Sequence, residues 1–241
     1  MISIIIPVYN QGQKLIRALA AINRQSYQDY EVIIVNDGSH DQVEMIFAHY
    51  YQTLSGSQKY LFINQSNQGA PAARNRGFKE ARGDYLFFHD ADAVLNDDAL
   101  EKLRQALVDN PEASYAYPSF YWGRKLFKVG PFDPEKLRLG PYIHTMALIK
   151  RSDFPQTGWD EQIQKFQDWD LWLTMLEGNH RGIWIPEVLF KVSPGGTISF
   201  WMPASFYKLL PFLPVVKKYQ AAKKIIKTKH GLYTKTQKAS D

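Results

Sequence analysis

The sequence predicts an α/β fold: a Rossmann-like, mostly parallel sheet flanked by helices, continued by a mixed C-terminal extension of the same sheet. Three observations carry this reading. Short apolar runs alternate with segments of helical period over about 110 residues, giving four βα units, the pattern of a doubly wound sheet. Each apolar run ends in a polar cluster rich in Asn, Asp, Gly or Pro. Beyond residue 111 the texture turns aromatic and punctuated, with short strand signals but no further βα repeat.

In chain order, residues 2–6 are a continuous apolar run closed by Pro7, as expected of a strand buried on both faces. Leu15, Ile16, Leu19 and Ile22 then recur at helical spacing. Residues 31–35 form a second strand, and Val43, Ile46, Phe47 and Tyr50 a second helix face. A third strand over 60–63 precedes a helix over 70–81 rich in Ala and Arg. A fourth strand over 85–88 precedes a helix marked by Leu100, Leu103 and Leu107 and stopped by Asn110-Pro111. In the second half, the aromatics of residues 115–132 read as core and loop anchors, 143–149 as a strand, and 168–176 as a short helix. Residues 182–185 and 188–192 read as two further strands.

At 241 residues, 45% hydrophobic and 22% charged, the chain needs no disulfide or structural metal to build a core. The absence of Cys removes disulfide scaffolds, zinc–thiolate sites, iron–sulfur clusters and cysteine nucleophiles, so any metal must be held by oxygen. It also fits a reducing compartment. The net charge of +5 is uneven: residues 1–200 carry 20 Lys+Arg against 23 Asp+Glu, and residues 201–241 carry nine Lys against one Asp. A mildly acidic body argues against a nucleic-acid partner. The N-terminus has no cationic segment before its short apolar run, and no stretch of 18 uncharged apolar residues exists, so the reading is cytoplasmic. In the tail, Val215, Tyr219, Ala222 and Ile226 form a helical stripe flanked by Lys217, Lys218, Lys223, Lys224 and Lys227. Such a helix either packs on the body with a solvated lysine face or lies on an anionic membrane, with 200–230 contacting the inner face peripherally. Residues 229–241 read as disordered, and nothing specifies an oligomeric state.

Ligands of doubly wound sheets bind at the carboxyl ends of the strands. There the sequence places Pro7-Val8-Tyr9-Asn10, Asn36-Asp37-Gly38-Ser39, residues 64–69, and His89-Asp90-Ala91-Asp92. One such cluster is ordinary turn chemistry; four on one edge make a candidate site. Asp90-Ala91-Asp92 is the sharpest. In an extended segment, residues two apart share a side, with Cα atoms about 6.6 Å apart. One carboxylate could accept from a ribose hydroxyl while the other ligates a hard divalent cation. No G-x-G-x-x-G follows the first strand, which disfavours a dehydrogenase.

Taken in order, five motifs resemble the family 2 glycosyltransferases over about residues 1–195. They are the run from Ser3 through Pro7-Val8-Tyr9-Asn10; Val35-Asn36-Asp37-Gly38-Ser39; Asn67-x-Gly69 with Ala73-Arg74-Asn75-x-Gly77; Gly83-Asp84 leading to Asp90-x-Asp92; and Gln167-Asp168-Trp169-Asp170. The resemblance implies the GT-A fold, a nucleotide-sugar donor and a divalent metal, Mg or Mn. It also implies inverting transfer to a glycan, lipid-linked or small-molecule acceptor. It divides the chain into a domain over 1–199, with a nucleotide-binding half over 1–110 and an acceptor half with lid over 111–199, and a basic amphipathic tail over 200–241.

The roles it implies are specific. Pro7, Tyr9 and Asn10 line the nucleotide pocket, with Asn67 and Gly69 beside them. Asp37 accepts from the imide N–H of the base, which favours uracil or thymine over cytosine, with a UDP-sugar as the expected donor. Arg74 sits near the pyrophosphate, where a guanidinium suits phosphate oxygens. Asp90 holds the ribose, Asp92 the metal, and Asp168 is the base. A helix N-cap is the competing reading of Asp168, a helix-surface ion pair that of Arg74, and the helix dipole accounts for Asp170. Three departures stand out: Gln167 where the family has Glu, Phe190-Lys191 where it has Tyr-Arg, and Ser193 where a His can complete the metal site. They keep open a second reading, a nucleotide-sugar-binding relative with weak or no transfer. Residues 193–199 read as a flexible lid. His89 reads as structural, His144 as a lesser site candidate, Trp169 as acceptor contact or core, and Trp172 as core.

Overall fold

The computed structural model describes residues 1–54, 59–194 and 213–232. In its first half β1 (Ile2–Val8), β2 (Tyr30–Asp37), β3 (Lys59–Gln65) and β4 (Tyr85–Phe88) alternate with α1 (Gly12–Asn23), α2 (Val43–Gln52) and α3 (Ala70–Glu80). The strands lie in the order β3-β2-β1-β4 and are parallel throughout. Helices cover both faces, so the apolar runs bury completely: Ile2, Ile4, Ile5 and Ile6 have no exposed surface, each worth about 1.5–3 kcal/mol.

The chain leaves β1 toward β2 on one side and crosses from β3 to β4 on the other. The switch point of the sheet therefore lies between the carboxyl ends of β1 and β4. Pro7 suits that place. The carbonyl of Ile5 accepts from His89 N at 2.8 Å, so residues 5 and 7 both face β4, and the missing N–H of Pro7 falls where β4 has ended. Gly77 lets α3 lie close on β1, since a Cβ there would stand 2.4 Å from Ile5 Cγ2. Gly77→Ala is expected to cost about 1–3 kcal/mol by overpacking, seen as a lower urea midpoint at unchanged m.

The second half comprises β5 (Ala93–Leu95), α4 (Ala99–Asp109), β6 (Tyr115–Trp122), β7 (Lys125–Phe127), α5 (Pro134–Leu139), β8 (Leu148–Lys150), a 3-10 turn (Arg151–Asp153), α6 (Gln167–Glu177) and β9 (Gly182–Val192). Among the described residues the sheet runs β3-β2-β1-β4-β8-β6-β9-β5, with β7 on β6. Strand β8 is antiparallel to both β4 and β6, while β9 is parallel to β6 and antiparallel to β5. The α/β fold with a mixed extension is as expected; the parallel character belongs to the first half.

Three expectations are corrected here. The aromatic stretch supplies core through Tyr115 and Tyr117, as expected, but does so from a strand pair and not from loops. The strand over 143–149 shrinks to Leu148–Lys150, because a backbone bond from Ala147 N to Thr145 O turns the chain before it. The two strands over 182–192 are one, its register jumping from Pro118↔Ile185 to Ser119↔Val188. Pro186 sits in that bulge, where a residue without an N–H costs no ladder bond.

The C-terminal helix α7 (Pro214–Lys229) packs on the body. Its apolar stripe turns inward, through Val216 and Ile226 and through Tyr219, whose ring meets Phe166 edge-on at 5.0 Å. Val215 faces out instead, and the stripe is spent on the protein core. Residues 229–232, expected to be disordered, continue this contact, with Leu232 against the core. The aromatic segment before α7, most of the lid over 193–199 and residues 233–241 lie outside the described residues. Among those described, no helix is long and apolar enough to cross a membrane.

Candidate active site

The ends of β1, β2 and β3 are tied to one another by side chains. Asn10, at a left-handed φ of 53°, donates its N–H to Ser39 Oγ at 3.0 Å and accepts from His40 N at 2.8 Å. Asn36 accepts from Ser39 N at 3.0 Å and donates to Asn64 at 2.8 Å. Asp37 is buried and accepts three bonds, from Gln65 Nε2 at 2.8 Å, Gln68 N at 2.9 Å and Gly69 N at 2.8 Å. Its carboxylate thus fastens the 65–69 loop to β2, and any base must share an oxygen already engaged. Gly69 opens α3 at a φ of 92°, where side chains are strained. Pro7 and Tyr9 are partly exposed at this edge, and Asn67 is exposed.

A second cluster is built from distant segments. Arg74 is 5% exposed, not a helix-surface group. It donates to Asp90 Oδ1 at 3.1 Å and to Gln167 Oε1 at 2.8 Å, and its guanidinium carbon lies 4.7 Å from the centre of the Trp159 ring. The substitution of Gln for Glu at 167 therefore removes a charge from Arg74 while keeping its hydrogen bond. His144 is held between Phe120 and Phe190, with ring centroids 4.8 and 5.1 Å away. Its Nδ1 accepts from Met146 N at 3.1 Å, so the neutral ring carries its proton on Nε2, which stands 3.9 Å from Asp90 Oδ2. Burial lowers the His144 pKa against the pull of Asp90 and Asp168.

Asp168 lies in the first turn of α6 and is not its cap; Phe166 holds that position, at a φ of 62°. The Asp168 carboxylate accepts from the neighbouring Trp169 N at 2.8 Å. Burial raises its pKa, opposed by His144 and Arg74. Asp90 and Asp92 do not form the expected extended pair. A bond from Ala93 N to Asp90 O, 3.0 Å, closes a turn between them. Burial, then the charge of Asp90, push Asp92 up to about 6. Ser193 N donates to Asp92 O at 3.0 Å, so the residue standing where the family has His does lie beside Asp92. Trp169 and Trp172 are both fully buried, donating to Leu137 O at 2.6 Å and Ile143 O at 3.1 Å, so both are core. His89 is fully buried with both ring nitrogens unpartnered, and burial lowers its pKa to about 4. The structural reading of His89 stands.

Sequence reasoning missed Trp159 and undervalued His144. Both reach Arg74 or Asp90 only through the tertiary fold, and no local pattern announces them.

A mostly parallel Rossmann-like half joined to a mixed half, in one sheet flanked by helices, is the GT-A class of fold. The profile described as "Glycosyl transferase family 2" matches residues 3–158, and the chain belongs to that family. The amylovoran biosynthesis glycosyltransferase AmsB of Erwinia amylovora is 29% identical over 186 residues, 70% of this chain and 62% of its own. An uncharacterised Rickettsia conorii glycosyltransferase is 27% identical over 221 residues, 85% of this chain and 35% of its own. This chain thus spans less than two thirds of the length of either. Staphylococcus aureus TarS 1–349 in complex with UDP superposes with a TM-score of 0.67 at 18% identity, over 89% of this chain and 64% of TarS 1–349. The Pyrobaculum calidifontis mannosyltransferase PcManGT, in complex with GDP-Man and Mn2+, gives 0.65 at 16%, over 96% and 79%. At such identities the likeness is one of fold.

Among the described residues, no group of three or more His, Asp or Glu could hold a metal unaided. The acidic pair still fits a hard cation. Asp92 is desolvated beside Asp90, while Asp90 Oδ1 is committed to Arg74. One carboxylate completed by donor phosphates and water is a normal magnesium shell.

Proposed function

We propose that this chain is an inverting, metal-dependent glycosyltransferase that moves a sugar from a nucleotide sugar, a UDP-sugar by the Asp37 reading, to an acceptor hydroxyl on a glycan, lipid-linked or small molecule. The observation that carries it is Asp168: a half-buried carboxylate with its pKa raised, electrostatically coupled to His144, Arg74 and Asp90 at the switch point. Asp168 takes the proton of the acceptor hydroxyl as its oxygen attacks the anomeric carbon. The bond from that carbon to the diphosphate breaks in the same displacement, which inverts the centre. Asp90, Asn67, Gly69, Pro7, Tyr9 and Asn10 hold the nucleotide, and Arg74 fixes Asp90 and faces the phosphates. Asp92 would hold Mg or Mn, which when bound offsets charge developing on the leaving diphosphate. The outer lysines of α7 suit peripheral contact with an anionic cytoplasmic leaflet.

Turnover of a UDP-, GDP- and dTDP-sugar panel with product anomer assigned by NMR tests the reading. Retention of configuration overturns it. Stripping divalent metal, or Asp92→Asn, is expected to reduce turnover at least about 100-fold, restored in the wild type alone by Mg or Mn. Gln167, Lys191 and Ser193 keep the second reading open, a binder with weak or no transfer; tight nucleotide-sugar binding with no turnover toward any acceptor would select it.

A further inference from the structure

We propose that α7, with Lys229 and the following His230, is a positioning element for Asp168, holding the first turn of α6 in place against the Arg74–Asp90 cluster. The inference rests on reading Asp168 as the base.

Helix α6 has two working faces. Its first turn reaches the cluster through Gln167, which accepts from Arg74 at 2.8 Å, and Asp168 is coupled electrostatically to His144 and Arg74. Phe166, Trp169, Asp170 and Glu177, spaced as one helical face, meet α7. Tyr219 packs on Phe166 at 5.0 Å, and Lys223 Nζ lies 5.8 Å from the Trp169 ring centre. The side chain of Asp170 is 5% exposed and is met by two cations, Lys229 Nζ at 2.8 Å and His230 Nε2 at 2.9 Å. Lys229 also reaches Asp160 at 2.8 Å, and His230 Nδ1 reaches Glu177 at 2.8 Å. Asp170 stands in the first turn of α6, where the helix dipole favours it, and these pairings add to that. A carboxylate this buried is costly once its cations leave, and it sits two residues from Asp168. Phe166 begins the same turn in a left-handed conformation that persists only where its surroundings hold it.

The groups facing His230 are Asp170 and Glu177, with Lys229 and Asp160 beyond. Both ring nitrogens can donate only in the imidazolium. Burial alone would lower the His230 pKa, but its two carboxylate partners hold it above the ordinary value. The clamp is complete below that raised value and loses one bond as pH rises through it.

The test uses the full chain. In His230→Ala, and in the milder Asp170→Asn, amide exchange over 166–171 should quicken at least about tenfold while β1 and β2 stay protected. The kcat should fall about 10- to 100-fold with donor KM unchanged. His230→Arg, charged at every pH and able to donate to both carboxylates, should restore kcat and abolish the alkaline decline of the wild type. Unchanged exchange over 166–171, or full kcat in both weakened variants, overturns the proposal. Exchange is read without substrate, so a wild-type chain that transfers nothing counts against the base assignment separately.

Discussion

Asp168→Asn is expected to lower kcat by about 10²–10⁴-fold while nucleotide affinity stays near that of the wild type. The amide is nearly isosteric and can still accept from Trp169 N, so the turn survives, but it cannot take a proton. Burial has raised the Asp168 pKa, so ionising it costs the folded state, and the Asn variant should melt no lower than the wild type. A residue kept only to start a helix would show no such division, since Asn serves that role as well as Asp. The same shift sets the acid limb of the pH profile. The base must be ionised, and its folded value lies above the ordinary ~3.9, so kcat should fall as pH drops through a midpoint displaced upward. Initial rates from pH 4 to 9, with UDP binding followed by calorimetry, check both statements; substantial turnover in the Asn variant removes Asp168 from this role.

Arg74→Met is expected to destabilise the fold by about 3 kcal/mol, the low end for breaking a buried pair, because Asp90 keeps 25% of its side chain exposed. It should also abolish measurable transfer. The guanidinium joins α3, the end of β4 and the start of α6 through Asp90 and Gln167 while lying on Trp159. Three segments thus lose their common tie at once. Lysine offers a point charge without the planar fork, so Arg74→Lys should keep most of the stability and little of the activity. Urea unfolding and donor KM measured side by side decide; a fully active Lys variant would reduce Arg74 to a source of charge.

Much of this was legible in the residues. The apolar run of β1 closed by Pro7 and the four polar strand ends predict the parallel half, because strands buried on both faces leave an unmistakable local signature. The list from Pro7 to Asp168 falls into two groups, one tying the ends of β1, β2 and β3 together and one joining Arg74, Asp90 and the first turn of α6. What the sequence hid is pairing over distance. Nothing near Arg74 says that Trp159 will lie beneath it, and Asp90-Ala91-Asp92 reads equally as strand or turn until Ala93 N finds Asp90 O. The lysine-rich helix reads as a membrane stripe or a packed one until Phe166 appears opposite Tyr219.

The grip on Asp170 has a consequence for the order of synthesis. Its partners Lys229 and His230 are made 59 and 60 residues later. The parallel pairings of β1 to β4 are complete in sequence by residue 88, and N-terminal units fold first during synthesis. The second half meanwhile carries a carboxylate whose cations do not yet exist. With the clamp proposed above, the first turn of α6 is locked only once the end of α7 has been made.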